Sequence, residues 1–181
     1  MKNHNKKPNE KEKIALGLFY KRFYDLYEEL SNDNFFNNTS SYRFYMIREI
    51  FSVYKELLGY KPIQYHIELI KKTRPPLEGI IVNDLFSFIR NLLLHFPIFE
   101  NWDDVYISKD LATWNKVGTI HKFLKESSKI KIDDKGTIKY RIWEKSKKLM
   151  TYIFINFPEE YNDNIIFLKD IVSEKEGIKL C

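Results

Sequence analysis

The sequence predicts an all-α protein, an up-and-down helical bundle, with one short β-hairpin near 129–141. Three observations carry this. Apolar residues recur at three- and four-residue spacing through Ile14 to Leu30, Ser40 to Leu58 and Ile80 to Pro97. The breaks between these stretches are short and rich in residues that end helices: Ser31-Asn32-Asp33-Asn34, Gly59, Arg74-Pro75-Pro76 and Pro97. Period-two alternation is confined to Lys129 to Tyr140, where Ile130, Ile132 and Ile138 flank a turn-like Asp133-Asp134-Lys135-Gly136.

Taken in order, Met1 to Lys13 has no apolar residue after Met1 and is expected to be a disordered basic arm. Residues 14–176 are expected to form a single helical domain. Ile14, Leu18, Phe19, Phe23, Leu26, Tyr27 and Leu30 form the core stripe of the first helix. Ser40 or Ser41 is expected to cap a second helix that runs to Leu58, with Gly59 just beyond its end. Arg43, Arg48 and Glu49 on that helix read as surface ion-pairing groups. Ile63 to Lys72 reads as a shorter helix with His66 packed among isoleucines.

Beyond Pro97, the aromatic loop Ile98 to Tyr106 is expected to fold over the end of the central helix beside His95. Ser108 and Thr119 read as caps of further short helices, and Arg141 to Asn156 as a long one facing Trp143, Leu149, Ile153 and Phe154 inward. Pro158-Glu159-Glu160 reads as a helix start, and Ile165 to Val172 as the apolar run of the last helix.

The central stretch, Ile80 to Pro97, is the most informative. At 100° per residue, Asn83, Asp84, Ser87, Arg90, Asn91 and His95 fall within one arc of about 140°. Val82, Leu85, Phe86, Phe88, Ile89, Leu92, Leu93 and Phe96 fill the rest, and only Ile80 and Leu94 intrude on the polar side. A solvated face in so lysine-rich a chain should carry Lys and Glu. This one carries groups that make directed hydrogen bonds, and so suits contact with a partner. Pro97 ends the helix near His95. His95 then lies beside unpaired carbonyls and the negative end of the helix dipole, which favours a cation there.

Arg90-Asn91-Leu92-Leu93-Leu94-His95, late in a long helix of a small helical chain, resembles the motif of HEPN domains: Arg, often a polar residue next, and His after four to six intervening residues. The motif stretch covers roughly 80–107, and the remainder is similar in architecture alone. The resemblance implies a metal-independent endoribonuclease of a toxin–antitoxin or phage-defence (abortive infection) system. In that family Arg and His from two subunits meet in a composite site at a homodimer interface. It thus implies catalytic roles for Arg90, His95 and Asn91, with RNA, a second copy, and a cognate antitoxin or other defence protein as partners. The family also contains inactive members that act as regulatory or nucleotide-binding partner proteins, which is the alternative reading. Some members carry a Tyr two residues after the His, where the antitoxin modifies it; Pro97 stands there in this chain.

The chemistry is consistent with these residues. RNA supplies its own 2′-OH nucleophile, so cleavage needs a group that moves protons, such as His95, and one that stabilises phosphate charge, such as Arg90. Asn91 would orient the His or the phosphate. Asp84 and Ser87 share the arc as supporting residues. Each also has an ordinary role: a helix-end His is a common C-terminal cap, and an edge Arg a common ion-pairing group. Lys71, Lys72, Arg74, Arg141 and Lys145 are the basic residues placed to track RNA, the last two in a stretch with Tyr140 and Trp143 interspersed.

The remaining features exclude more than they assign. The Asp103-Asp104 pair has no His or Cys at ligand spacing, so neither a metal nor a cofactor is expected. There is no Gly-rich phosphate loop, zinc set or Ser–His–Asp pattern. The single cysteine, Cys181, allows no internal disulfide and suits a reducing cytoplasm. No apolar run approaches membrane-spanning length and the start is charged, so a soluble cytoplasmic protein with no membrane partner is expected. The net charge of +5 permits nucleic-acid binding. A helical DNA-binding regulator fits less well, since no short helix-turn-helix stands out.

Overall fold

In the computed structural model, residues 7–65, 76–95, 98–108, 137–144, 147–156 and 165–181 are described, with 76–84, 107–108 and 137–144 described as backbone. The chain is mostly helical, as expected, with a few short strands in its second half. It divides into two compact units, Met1–Ile80 with Cys181, and Ile81–Leu180.

In the first unit, α1 (Glu10–Leu30) and α2 (Ser40–Gly59) form an antiparallel hairpin. Three contacts fix its direction: Arg22 Nε donates to Glu49 at 3.2 Å, Tyr42 Oη donates to Glu29 at 3.1 Å, and the Phe23 and Tyr54 rings lie 5.4 Å apart. Leu26, Leu30, Phe35, Phe44, Ile47, Ile50, Phe51 and Val53 form the core. α1 starts at Glu10, inside the stretch expected to be an unstructured arm. The reason is a capping box: Asn9 Oδ1 accepts from Glu12 N–H at 2.9 Å, and Glu12 accepts from Asn9 N–H at 2.7 Å. Three of the seven residues of the expected α1 core stripe are exposed, Ile14 by 65%, Leu18 by 66% and Phe19 by 37%. Periodicity shows which residues share a stripe, not whether anything packs on it.

Thr39, not Ser40 or Ser41, caps α2, its hydroxyl accepting from Tyr42 N–H at 3.4 Å. Gly59 is the last helical residue, with Tyr60 as the C-cap. Arg43 donates to the carbonyls of Asn38 at 2.7 Å and Phe36 at 3.4 Å, so it braces the connecting loop. Glu49 is held by Arg22 across the hairpin. Residues 61–65 are helical, and the rest of the expected third helix, His66 included, lies outside the described residues.

Among the described residues, the second unit contains most of α3 (Pro76–His95), four strands and two short α-helices. β1 (Tyr106–Ser108) pairs antiparallel with β4 (Ile165–Phe167), and β2 (Thr137–Glu144) with β3 (Leu149–Asn156). α4 (Leu168–Ile171) and α5 (Glu174–Ile178) complete it. The helix expected over Arg141–Asn156 is therefore strand and turn, and the hairpin lies at 137–156 where 129–141 was expected. β-branched and aromatic residues dominate both strands, and in β3 burial alternates, with Ile153 and Ile155 buried between neighbours that are not. Lys-rich flanks at helical spacing had masked that alternation. Likewise the apolar run 165–172 divides into β4 and the single turn of α4. Ser108 closes β1; the helices expected after it, Trp114 and His121 among them, lie outside the described residues, as does the start expected at Pro158.

Trp102 organises the far end of this unit. It sits in a 3-10 turn (Trp102–Asp104) capped by Asn101, which accepts from Asp104 N–H at 3.0 Å. The two aspartates thus open a helical turn. The buried indole donates from Nε1 to the Val172 carbonyl at 3.0 Å. α5 lies directly beneath the ring: a methyl on Gly177 would come within 2.7 Å of Trp102 Cζ2. Ser173 Oγ accepts from Glu176 N–H at 3.3 Å, and Glu176 in turn accepts from Phe154 N–H at 3.2 Å. The end of the chain is thus tied to both Trp102 and β3. The Ser-x-x-Glu pattern at 173–176 was the available signal. The aromatic loop 98–106 is likewise anchored on the C-terminal segment, where Tyr106 packs edge-on against Phe167 at 6.1 Å.

Candidate functional site

The second half of α3 presents the candidate site. Leu85, Phe86, Phe88, Ile89, Leu92 and Leu93 are all buried, whereas Ser87, Arg90, Asn91 and Leu94 are half-buried and His95 is exposed. On a helical wheel the uncovered positions occupy one arc of about 140°. From Ser87 to His95 the uncovered positions thus include every polar residue of the sequence-derived arc, with Leu94 among them.

Three side chains on the arc carry chemistry. Arg90 is half-buried, and its Nη1 donates to Asn91 Oδ1 at 3.1 Å. Its Nε is fully buried and has no hydrogen-bond partner among the described residues. A buried donor without a partner costs about 1–3 kcal/mol, which marks this guanidinium as incompletely satisfied. Asn91 thus holds the arginine, whereas the sequence reading had it orient the histidine or the phosphate. His95 is the last residue of α3, its imidazole exposed. It lies one turn beyond Asn91 on the same side. Relative to Arg90 it is about 7.5 Å further along the axis and about 140° around it. One copy of the helix therefore holds the two groups apart.

Of the other residues singled out from sequence, Asp84 lies on the α3 backbone and Ser87 is half-buried on the arc. Arg141 is in β2, opposite Tyr152 of β3, on a strand and not on the helix expected there. Lys71, Lys72, Arg74 and Lys145 lie outside the described residues. Sequence reasoning missed Tyr152 and Phe154, two exposed rings on β3 that had been assigned partly to a helix core. The alternation of Met150, Tyr152 and Phe154 with Thr151, Ile153 and Ile155 was the signal that could have found them.

Among the described residues, no three His, Cys, Asp or Glu side chains cluster as metal ligands would, and no helix is long and apolar enough to cross a membrane. Compared with protein-family models, curated proteins and solved structures, the chain matches none.

Proposed function

We propose that the chain is a metal-independent endoribonuclease of the HEPN type, acting in a toxin–antitoxin or phage-defence system of the cytoplasm. The observation that carries this reading is the half-buried, incompletely satisfied Arg90 guanidinium, held by Asn91, on the same uncovered arc as the exposed imidazole of His95. A guanidinium fixed at one corner keeps donors for a phosphate and pays little ordering entropy on binding it. An exposed imidazole can exchange protons with the 2′-OH and the leaving oxygen. Because one helix holds the two groups about 140° apart, a second copy facing the arc would complete the site. It would also supply a second histidine, so that one acts as base and the other as acid.

The test is cleavage of RNA by the purified chain in EDTA. The expected products carry cyclic phosphate or 3′-phosphate ends, and light scattering should give twice the chain mass of 21.9 kDa. Activity that appears only with a divalent ion and leaves 5′-phosphate ends would overturn the mechanism. A monomer at micromolar concentration would remove the composite site. Binding of a nucleotide or partner protein with no cleavage would identify an inactive member of the same type.

A further inference from the structure

The β2–β3 ribbon has two unlike faces. Ile153 and Ile155 are buried on one. On the other, Met150, Tyr152 and Phe154 are 52%, 48% and 42% exposed. Directly opposite residues of an antiparallel pair belong to the same face. The register therefore adds the positions of Trp143, Arg141 and Lys139, which pair with Met150, Tyr152 and Phe154 in turn. The exposed face thus joins aromatic positions to two basic ones, and among the described residues of the two strands it holds no acidic position. Lys147 and Lys148 extend the positive charge into the exposed turn, while Glu144 falls on the opposite face with Leu149.

We propose that this outer face binds a single-stranded polynucleotide, with bases stacked on Tyr152 and Phe154 and phosphates neutralised by Lys139 and Arg141. Charge favours a polyanion over a protein as the occupant. Protein interfaces are enriched in aromatic residues and arginine but depleted of lysine, whereas here a lysine position lies opposite Phe154 and two more lysines follow in the turn. The edge of β3 is also unsuited to pairing with an added strand at Phe154, since its N–H is bonded to Glu176. Spacing favours a single strand over a duplex. Tyr152 and Phe154 are about 6.8 Å apart along β3. That is about twice the 3.4 Å step between stacked bases of a duplex strand, so adjacent bases must be splayed apart to reach both rings.

The proposal stands on the ribbon alone and does not need the nuclease reading. Its test is fluorescence anisotropy of the full chain with a labelled, mixed-sequence 2′-deoxy oligonucleotide, which offers no 2′-OH to cleave. Tyr152→Leu and Phe154→Leu should each weaken binding by about 5- to 150-fold, while Tyr152→Phe, which keeps the ring, should stay within about twofold. Lys139→Gln and Arg141→Gln should each lower the log–log salt slope by about 0.7. Wild-type affinity in both Leu variants, each with an unchanged circular dichroism spectrum, would overturn the proposal. So would equal competition by a duplex of the same sequence. Failure of the oligonucleotide to bind, with self-association that Phe154→Leu abolishes, would assign the face to a protein contact and overturn it as well. Tight binding by a chain that cleaves no RNA would support this inference and sink the nuclease reading; cleavage with no contribution from the rings would do the reverse.

Discussion

The arc of α3 and the outer face of the β2–β3 ribbon are both uncovered sides of amphipathic elements, yet they are built for different work. The arc is narrow. Its polar groups are few and directed, and one of them, Arg90, is half-buried and pinned by Asn91. The ribbon face is broad, aromatic and basic, with rings exposed by about half. Fixed, partly desolvated groups suit charge stabilisation at one developing centre. Exposed rings and point charges suit contact with many nucleotides of any sequence. On the proposed reading, chemistry and affinity rest on different residues, so kcat and KM should respond to different substitutions.

The largest effects should come from the arc. His95→Ala should lower the cleavage rate by about 10²–10⁴-fold. Arg90→Ala should cost a similar factor and weaken RNA binding as well. Both variants should stay folded, because alanine favours the helix and the buried side of α3 is untouched. Single-turnover kinetics and circular dichroism check this pair, and a fully active His95→Ala enzyme would end the catalytic reading. Tyr152→Leu, by contrast, should raise KM with kcat retained. If it lowers kcat instead, the two faces are not separate.

Asn91 comes next. As a positioning residue it holds Arg90, so Asn91→Ala should lower kcat by about 10- to 100-fold through a misplaced guanidinium. Asn91→Asp keeps the accepting oxygen and should restore most of that loss. Equal damage from both variants would mean that the 3.1 Å bond does not position the arginine.

Gly177→Ala tests the anchor of the ribbon. A methyl there meets the Trp102 ring at 2.7 Å, and α5 also supplies Glu176 to Phe154. The strain should cost about 1–3 kcal/mol, read as a lower midpoint in thermal denaturation. An unchanged midpoint would show that α5 yields freely.

The smallest effect should lie in the first unit. The Glu29 carboxylate accepts the Tyr42 hydroxyl and raises its pKa above the ordinary tyrosine value, with desolvation adding to the shift. A pKa raised on folding gives stability that is present below the ordinary value, about 10, and is lost as pH rises through the shifted one. Tyr42→Phe should remove this alkaline loss and leave stability at neutral pH nearly unchanged. An ultraviolet titration in which Tyr42 ionises at the ordinary position would contradict the contact.

Sequence alone determined the helical first half, the buried side of α3, its polar arc and its end at His95. Each follows from local rules: three- and four-residue periodicity, capping residues, and a proline that forbids further helix. A capping box, Asn9 with Glu12, and an N-cap, Ser173 accepting from Glu176 N–H, were equally local and legible. Three features were decided only by tertiary structure. Leu149 to Asn156 is a strand because β2 pairs with it, and short apolar runs fit helix and strand alike until a partner is present. The exposure of Ile14 and Leu18 depends on what packs against α1, which no periodicity contains. The Arg90–Asn91 bond and the contact of Gly177 with Trp102 depend on rotamers and on close approach between segments far apart in the chain, and both are fixed by packing.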